Sequence, residues 1–364
     1  MKLLEGFDLG SKYDRPLHLA NRLAMAPMTR ARADAEGNVS AVHETYYSQC
    51  ATAGLIITEG VNISRQALGS PLTPGLYEPS HIAAWTKVTK AVHDAGGRIF
   101  AQLWHTGRVG HSLVKGGELP VAPSAIRIEG QQHFTSQGPK DYETPRALET
   151  SEVKAVVEDY RTAAKNALEA GFDGVELHGA FGYLPNQFLV DAANHRTDAY
   201  GGSIENRSRF VVEVMQALVD VWGPGRAAIK LSPSIPYNGM VDSDPKTLFT
   251  HLIGELNKLP LAYVQLMQAL FPLDAFPTWP KDPLATFGPL IQATVMTNGG
   301  YDRAKGEAAL ASGAAQLVSY GALYISNPDL AHRFEVDAEL AAPDKATMYG
   351  GGEKGFIDYP ALAR

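Results

Sequence analysis

Eight short apolar runs, spread along the whole chain and separated by amphipathic stretches, constrain the fold of this sequence more than any other feature. They occupy residues 22–26, 54–58, 99–103, 173–177, 227–231, 262–266, 293–297 and 316–320, and each is rich in Val, Ile, Leu or Ala. A strand with one wet face alternates apolar and polar residues, whereas a parallel strand covered on both faces reads as a nearly continuous apolar run. The runs therefore predict a buried parallel sheet.

The stretches between them carry helix boundaries. Residues 81–95 follow Pro79-Ser80 and stop at Gly96-Gly97, and residues 151–170 follow Thr150 and end at Gly171. A helix opens on a small polar residue or proline and closes on glycine. Residues 204–221, 245–259, 302–312 and 328–334 follow the same scheme, while the first helix of the series is weak. Strand then helix, eight times over, predicts an α/β fold of the (β/α)8 TIM-barrel type, with residues 1–364 as a single domain. The alternative, an open doubly wound sheet, lacks its G-x-G-x-x-G turn after the first strand. Residues 104–149 interrupt the rhythm. They are too long for a βα loop and carry Pro120, Pro123, Pro139 and Pro145. We expect an inserted excursion after the third strand, containing a β-hairpin and capping one end of the barrel.

Composition narrows the partners. Apolar residues make up 45% of the chain, charged residues 20%, and the net charge is −7. A mildly acidic surface predicts neither nucleic acid nor an anionic membrane as partner. No run approaches the ~20 apolar residues that cross a bilayer, and the N-terminus lacks a secretory pattern. The single cysteine, Cys50, cannot form an internal disulfide and reads as a packed thiol. A cytoplasmic setting is expected, with a small molecule as the partner.

In this fold the C-terminal ends of the strands face the active site. Those positions carry Pro27-Met28-Thr29, Glu59-Gly60, Gln102 to His105, His178, Lys230 to Pro233, Gln265, Asn298-Gly299-Gly300 and Gly321-Ala322. Glycines after the last two strands suit a phosphate-binding loop, because the backbone N–H groups can approach closely. They would also serve as plain turns. His178 and Tyr183 end up at one mouth. A phenol holds its proton at neutral pH and an imidazole can donate to a carbonyl oxygen, a pairing that suits reduction of a double bond next to a carbonyl. His105 and His111 read as loop residues. Neither H-E-x-x-H nor a cysteine pair is present, so no metal site is expected.

Further stretches give the sequence a more specific likeness. Asn21 to Arg30, Ala101 to Arg108, Gly171 to Phe210, Ser326 to Leu330 and Asp358-Tyr359-Pro360 together resemble the Old Yellow Enzyme family, the FMN-dependent ene-reductases of the NADH:flavin oxidoreductase group. The resemblance implies FMN across the barrel mouth, reduced by NAD(P)H, with hydride then passed to the activated C=C bond of an α,β-unsaturated carbonyl compound. It implies cofactor contacts at Pro27, Met28, Thr29, Gly60, Gln102, Lys230, Asn298, Gly299, Gly300, Gly321 and Ala322. It makes His178 the carbonyl anchor and Tyr183 the proton donor, with Trp104, Phe181 and Tyr349 lining the substrate pocket.

Three positions depart from the family pattern. Phe181 stands where a second carbonyl donor, Asn or His, is usual. Lys230 replaces an arginine beside the flavin N1 edge, keeping the charge but losing the planar fork. Ala322 replaces the arginine that grips the phosphate, and Arg303 or Lys305 could compensate. The departures leave a second reading open, in which a barrel with weakened or lost FMN uses His178 and Tyr183 for a non-redox isomerisation or cyclisation.

Overall fold

The computed structural model describes residues 1–362. Eight parallel strands close into a barrel, each pairing with the next and the eighth with the first. They are β1 (Leu23–Met25), β2 (Leu55–Asn62), β3 (Ile99–Trp104), β4 (Gly174–Gly179), β5 (Ala227–Leu231), β6 (Tyr263–Met267), β7 (Thr294–Asn298) and β8 (Leu317–Tyr320). All eight expected runs are strands. The second extends past its expected end to Asn62, because after a register shift between Ile57 and Gly60 it keeps pairing with β3.

Eight outer helices follow the strands in order: α1 (Ala41–Gln49), α2 (Pro79–Asp94), α3 (Thr150–Glu169), α4 (Ile204–Trp222), α5 (Pro245–Leu256), α6 (Pro283–Phe287), α7 (Arg303–Ala311) and α8 (Leu330–Glu335). Their starts are chemically specified. The Asp244 and Asp302 side chains accept from the N–H groups of Thr247 and Lys305, and Pro245 occupies the first turn of α5, where its missing N–H is not needed. The helix expected at 328–334 is present as α8, and a short helix that was not expected, Ala322–Ser326, precedes it.

Every strand is buried on both faces, so a period-2 alternation is hidden inside apolar runs. Outward residues such as Ile56, Val175, Leu177, Ile229 and Val264 pack beneath the helices. Inward residues Ala24, Leu55, Ile57, Phe100, Ala228, Tyr263, Met296 and Leu317 fill the lower barrel, joined by Leu9, Leu17 and Leu19. Each fully buried aliphatic side chain contributes ~1.5–3 kcal/mol. Leu9, Leu17 and Leu19 come from an N-terminal hairpin, Phe7–Leu9 with Leu17–Leu19, that plugs the lower end. Nothing in the sequence reading anticipated that hairpin.

The insertion after β3 contains the expected hairpin, Gln132–Thr135 with Gly138–Asp141. It also contains a parallel pair, Val121–Ala122 with Arg146–Ala147. Arg196 ties this cap down: its guanidinium donates to the carbonyls of Pro123 and Leu148 and to Asp198. Nearby, Arg207 and Asp242 form an ion pair at 2.5 Å with both side chains buried. On the other side, Arg30 and Arg32 donate to the carbonyls of Thr347, Met348, Gly352, Lys354 and Gly355. The Phe356 ring lies against both guanidiniums and stacks on Tyr46. The C-terminal segment is thereby strapped to the loop after β1.

Candidate active site at the barrel mouth

The inward-facing positions change character as the strands rise. Above the apolar layer come Gln102, Glu176, Lys230, Gln265 and Ser319, and above those His178, Trp104 and Asn298. Strand register sets this order. Glu176 pairs with Gln102 and His178 with Lys230, which in turn pairs with Gln265.

Three aromatic rings define one side of the mouth. Trp104 lies nearly parallel to His178 with centroids 6.4 Å apart, while Tyr183 meets both edge-on, at 5.0 Å from Trp104 and 4.6 Å from His178. Gly60 is required beneath them, because a Cβ there would lie 2.6 Å from the Trp104 ring. Burial, with the Lys230 charge as a second cause, holds the His178 imidazole well below its ordinary pKa, so it is neutral at pH 7. Its Nδ1 and the Trp104 Nε1 are buried without a partner among the described residues. Burial also raises the half-buried Tyr183 phenol, with Tyr142, Tyr237 and Tyr349 adding to the effect, so it keeps its proton.

Phe181 sits in the left-handed region at φ +56°. Its neighbours over-determine that conformation. The Phe181 N–H donates to Ser232 Oγ at 3.0 Å, and its carbonyl accepts from Asn238 Nδ2 at 2.9 Å. Asn238 is itself at φ +59° and accepts from Arg108 through its carbonyl. Such a backbone costs ~1–3 kcal/mol and persists only where the surroundings impose it. The Phe181 ring lies 5.8 Å from the Lys230 ammonium. That ammonium is buried and has no carboxylate within ion-pair distance. Burial lowers its pKa to about 8, against the opposing pull of Glu176.

Across the mouth, Pro27, Met28 and Thr29 are half-buried on the loop after β1, and Met28 Sδ approaches Gly321. Gly299 and Gly300 have φ of +106° and +71°, values that favour glycine, and a Cβ on Gly300 would meet open space. Asn298 is less available than expected, because its Nδ2 donates to the Ser319 carbonyl and hydroxyl. Arg303 is engaged by Asp337 and the Phe334 carbonyl, whereas the exposed Lys305 ammonium lies 3.4 Å from the Gly300 carbonyl. Ala322 is exposed at the same rim and carries no donor. Tyr349 is on the strapped C-terminal segment, 69% exposed, at the same mouth as Tyr183.

Several site residues were not anticipated. Glu176 was passed over inside an apolar run, although a carboxylate in such a run was the available signal. Gln187 fixes two mouth loops together, donating to the Thr106 and Gly182 carbonyls and accepting from the Arg108 N–H. Gln265, expected at a strand exit, lies inside the barrel and bonds Glu176 and Ser319. Glu59 likewise faces away from the mouth and accepts from the Arg30 and Ala31 N–H groups. His105 is a loop residue as expected, its Nδ1 accepting from the Gly107 N–H. Trp279 is buried and stacks on Phe276 within the loop after β6.

With this geometry in hand, comparison with known proteins is decisive. The model of the NADH:flavin oxidoreductase / NADH oxidase family matches residues 7–340. The chain belongs to that family. It is an FMN oxidoreductase of the Old Yellow Enzyme kind, similar to ene-reductases. It is 42% identical to 12-oxophytodienoate reductase 1 of Oryza sativa subsp. japonica over 351 residues, 95% of this chain and 90% of the rice protein. It superposes on morphinone reductase with a TM-score of 0.93 at 43% identity, covering 99% of this chain and 96% of the other. On the old yellow enzyme homologue of Zymomonas mobilis the TM-score is 0.94 at 38% identity, with 100% of both chains covered. Morphinone reductase has also been solved in complex with tetrahydroNAD. No described helix is long and apolar enough to cross a membrane, and no described cluster of His, Cys, Asp or Glu could hold a metal.

Proposed function

We propose that this oxidoreductase reduces the activated C=C bond of an α,β-unsaturated carbonyl compound, using NAD(P)H and a resident FMN. The observation that carries the reading is the triad of Trp104, neutral His178 and protonated Tyr183 around one opening. The mouth suits a flavin. It offers orphaned polar atoms at His178 and Trp104, an ammonium with no ion-pair partner at Lys230, and a glycine cradle at Gly299-Gly300. Pro27, Met28, Thr29, Gly60, Gln102 and Lys230 would hold the ring. The Asn298 to Gly300 loop with Gly321-Ala322 would hold the phosphate, with Lys305 supplying the positive charge that Ala322 lacks. When bound, the flavin supplies hydride to the β-carbon.

The chain's own residues supply the rest. His178 donates its N–H to the carbonyl oxygen and polarises the alkene. Tyr183 delivers a proton to the α-carbon. Phe181 offers an apolar face where a second donor would otherwise stand, so the carbonyl is anchored by His178 alone. Cys50, the single cysteine, is free and buried, which fits a reducing, cytoplasmic setting. The test is the visible spectrum of the purified protein. Flavin absorbance that NADPH bleaches without oxygen, and that a cyclic enone restores, is expected. A colourless protein that ignores added FMN would overturn the reading.

A further inference from the structure

Beneath the mouth lies a carboxylate that the proposed chemistry does not use. Glu176, on β4, is fully buried. Its Oε1 accepts from Gln102 Nε2 at 2.8 Å, and its Oε2 accepts from Gln265 Nε2 at 2.8 Å. The Tyr263 hydroxyl faces the same carboxylate without completing a hydrogen bond. Behind Gln265 the chain of bonds continues. Ser319 Oγ donates to Gln265 Oε1 at 2.9 Å, and Asn298 Nδ2 donates to Ser319 Oγ at 2.6 Å. Every donor in this chain runs toward Glu176.

That direction follows from chemistry. An ionised carboxylate only accepts, so it requires the NH2 end of both neighbouring amides. With Nε2 of Gln102 spent below, its Oε1 is the atom left to meet a ligand. Were Glu176 neutral, one glutamine would be free to turn over and present a donor instead. Glu176 also lies one inward position below Lys230, since its register partner on β5 is Ala228; burial raises its carboxyl, and the Lys230 charge and the two amide donors pull it back toward the ionised form. The other groups around that ammonium are His178 on β4, Gln265 on β6 and the Phe181 ring, none of which carries a charge at pH 7.

We infer that Glu176 is a positioning residue, acting through Gln102 and Lys230: it turns the Gln102 carbonyl toward the ligand and keeps the Lys230 amine in its charged form. The inference rests on the flavin reading for what the ligand is, but its deciding test does not. With arginine in place of Lys230 the cation would be permanent and need no such support. A lysine in the same buried position deprotonates within reach of ordinary pH, so its charge depends on the carboxylate below.

The deciding experiment follows the Lys230 side-chain amine by NMR against pH in flavin-free protein, the resonance being assigned by its absence in Lys230→Arg. A wild-type midpoint of about 8 is expected, because burial lowers the Lys230 amine. Glu176→Gln lowers that midpoint by about one to two pH units, the effect of losing a nearby opposite charge. Glu176→Asp, which keeps the charge, stays close to the wild type. An unchanged midpoint in folded Glu176→Gln overturns the inference. Should that variant not fold, Lys230→Met asks the reciprocal question: the Glu176 carboxyl must then titrate higher, and no change overturns the inference equally. In FMN-loaded protein, Glu176→Gln weakens flavin binding by about tenfold, one misdirected hydrogen bond. An unaltered Kd would reject the Gln102 part of the proposal. A wild-type protein that takes up no FMN would end the flavin reading, and the Lys230 titration would still judge Glu176.

Discussion

Replacing Phe181 by asparagine tests both the strain at the mouth and the chemistry assigned to it. The two hydrogen bonds that fix residue 181 use its main-chain N–H and carbonyl, so they survive the substitution. A left-handed backbone costs an ordinary residue ~1–2 kcal/mol, and asparagine relieves part of this. Against that stands the lost contact between ring and Lys230 ammonium, worth ~0.5–2 kcal/mol. The two effects largely cancel, and we expect Tm to move by no more than about 3 °C. Activity should change far more. The new side-chain amide adds a second donor for the substrate carbonyl, and one such donor is worth ~2.7–4 kcal/mol, or roughly 10²–10³ in rate. Anaerobic stopped-flow separates the two half-reactions. Flavin reduction by NADPH should be unchanged, while kcat/KM for a cyclic enone in the oxidative half should rise about a hundredfold. A rise of less than about threefold with flavin still bound would refute the placement of Phe181 beside the carbonyl, as would an equal change in both halves.

Ala322→Arg restores a charged donor at the phosphate rim and should tighten FMN binding by about ten- to a hundredfold, measured by flavin fluorescence quenching. Asp242→Asn removes the charge facing buried Arg207 and should cost ~3–5 kcal/mol in urea unfolding. His105 is pushed down to about 3 by burial, so the folded state refuses a proton that the unfolded state accepts below pH 6.5. Stability must then fall as pH drops from 6.5 toward 3, and His105→Asn should flatten that slope by about 1.4 kcal/mol per pH unit. Burial pushes the Cys50 thiol up to about 12, so native protein at pH 8 should not react with a disulfide reagent until denaturant is added.

The barrel was legible because burial on both faces leaves uninterrupted apolar runs, and α/β geometry then allows few closures. The N-terminal hairpin was not, since Leu17–Leu19 is only three residues long and its middle residue is exposed. Mouth residues at strand ends, such as His178 and Lys230, could be read from their positions. Glu176 and Gln265 could not be sorted from them, because inward and outward neighbours look alike until register assigns a face. The positive φ of Phe181 was equally hidden. It is imposed by Ser232 and Asn238, more than fifty residues away along the chain. Gln187 joins two loops for the same kind of reason: its partner at Thr106 is 81 residues distant.

The strap around Arg30 and Arg32 carries a consequence for how the molecule is made. Arg30 leaves the ribosome early, yet its side chain donates to the Gly355 carbonyl, 325 residues later. Until then its guanidinium must stay in water, or face only Tyr46 and Glu59. The loop after β1, with Pro27, Met28 and Thr29 on it, therefore cannot take its final shape during synthesis of the barrel it belongs to. A chain can close all eight strands and still have an unfinished mouth. The segment around Gly355, translated 325 residues after Arg30, sets the geometry that Arg30 begins.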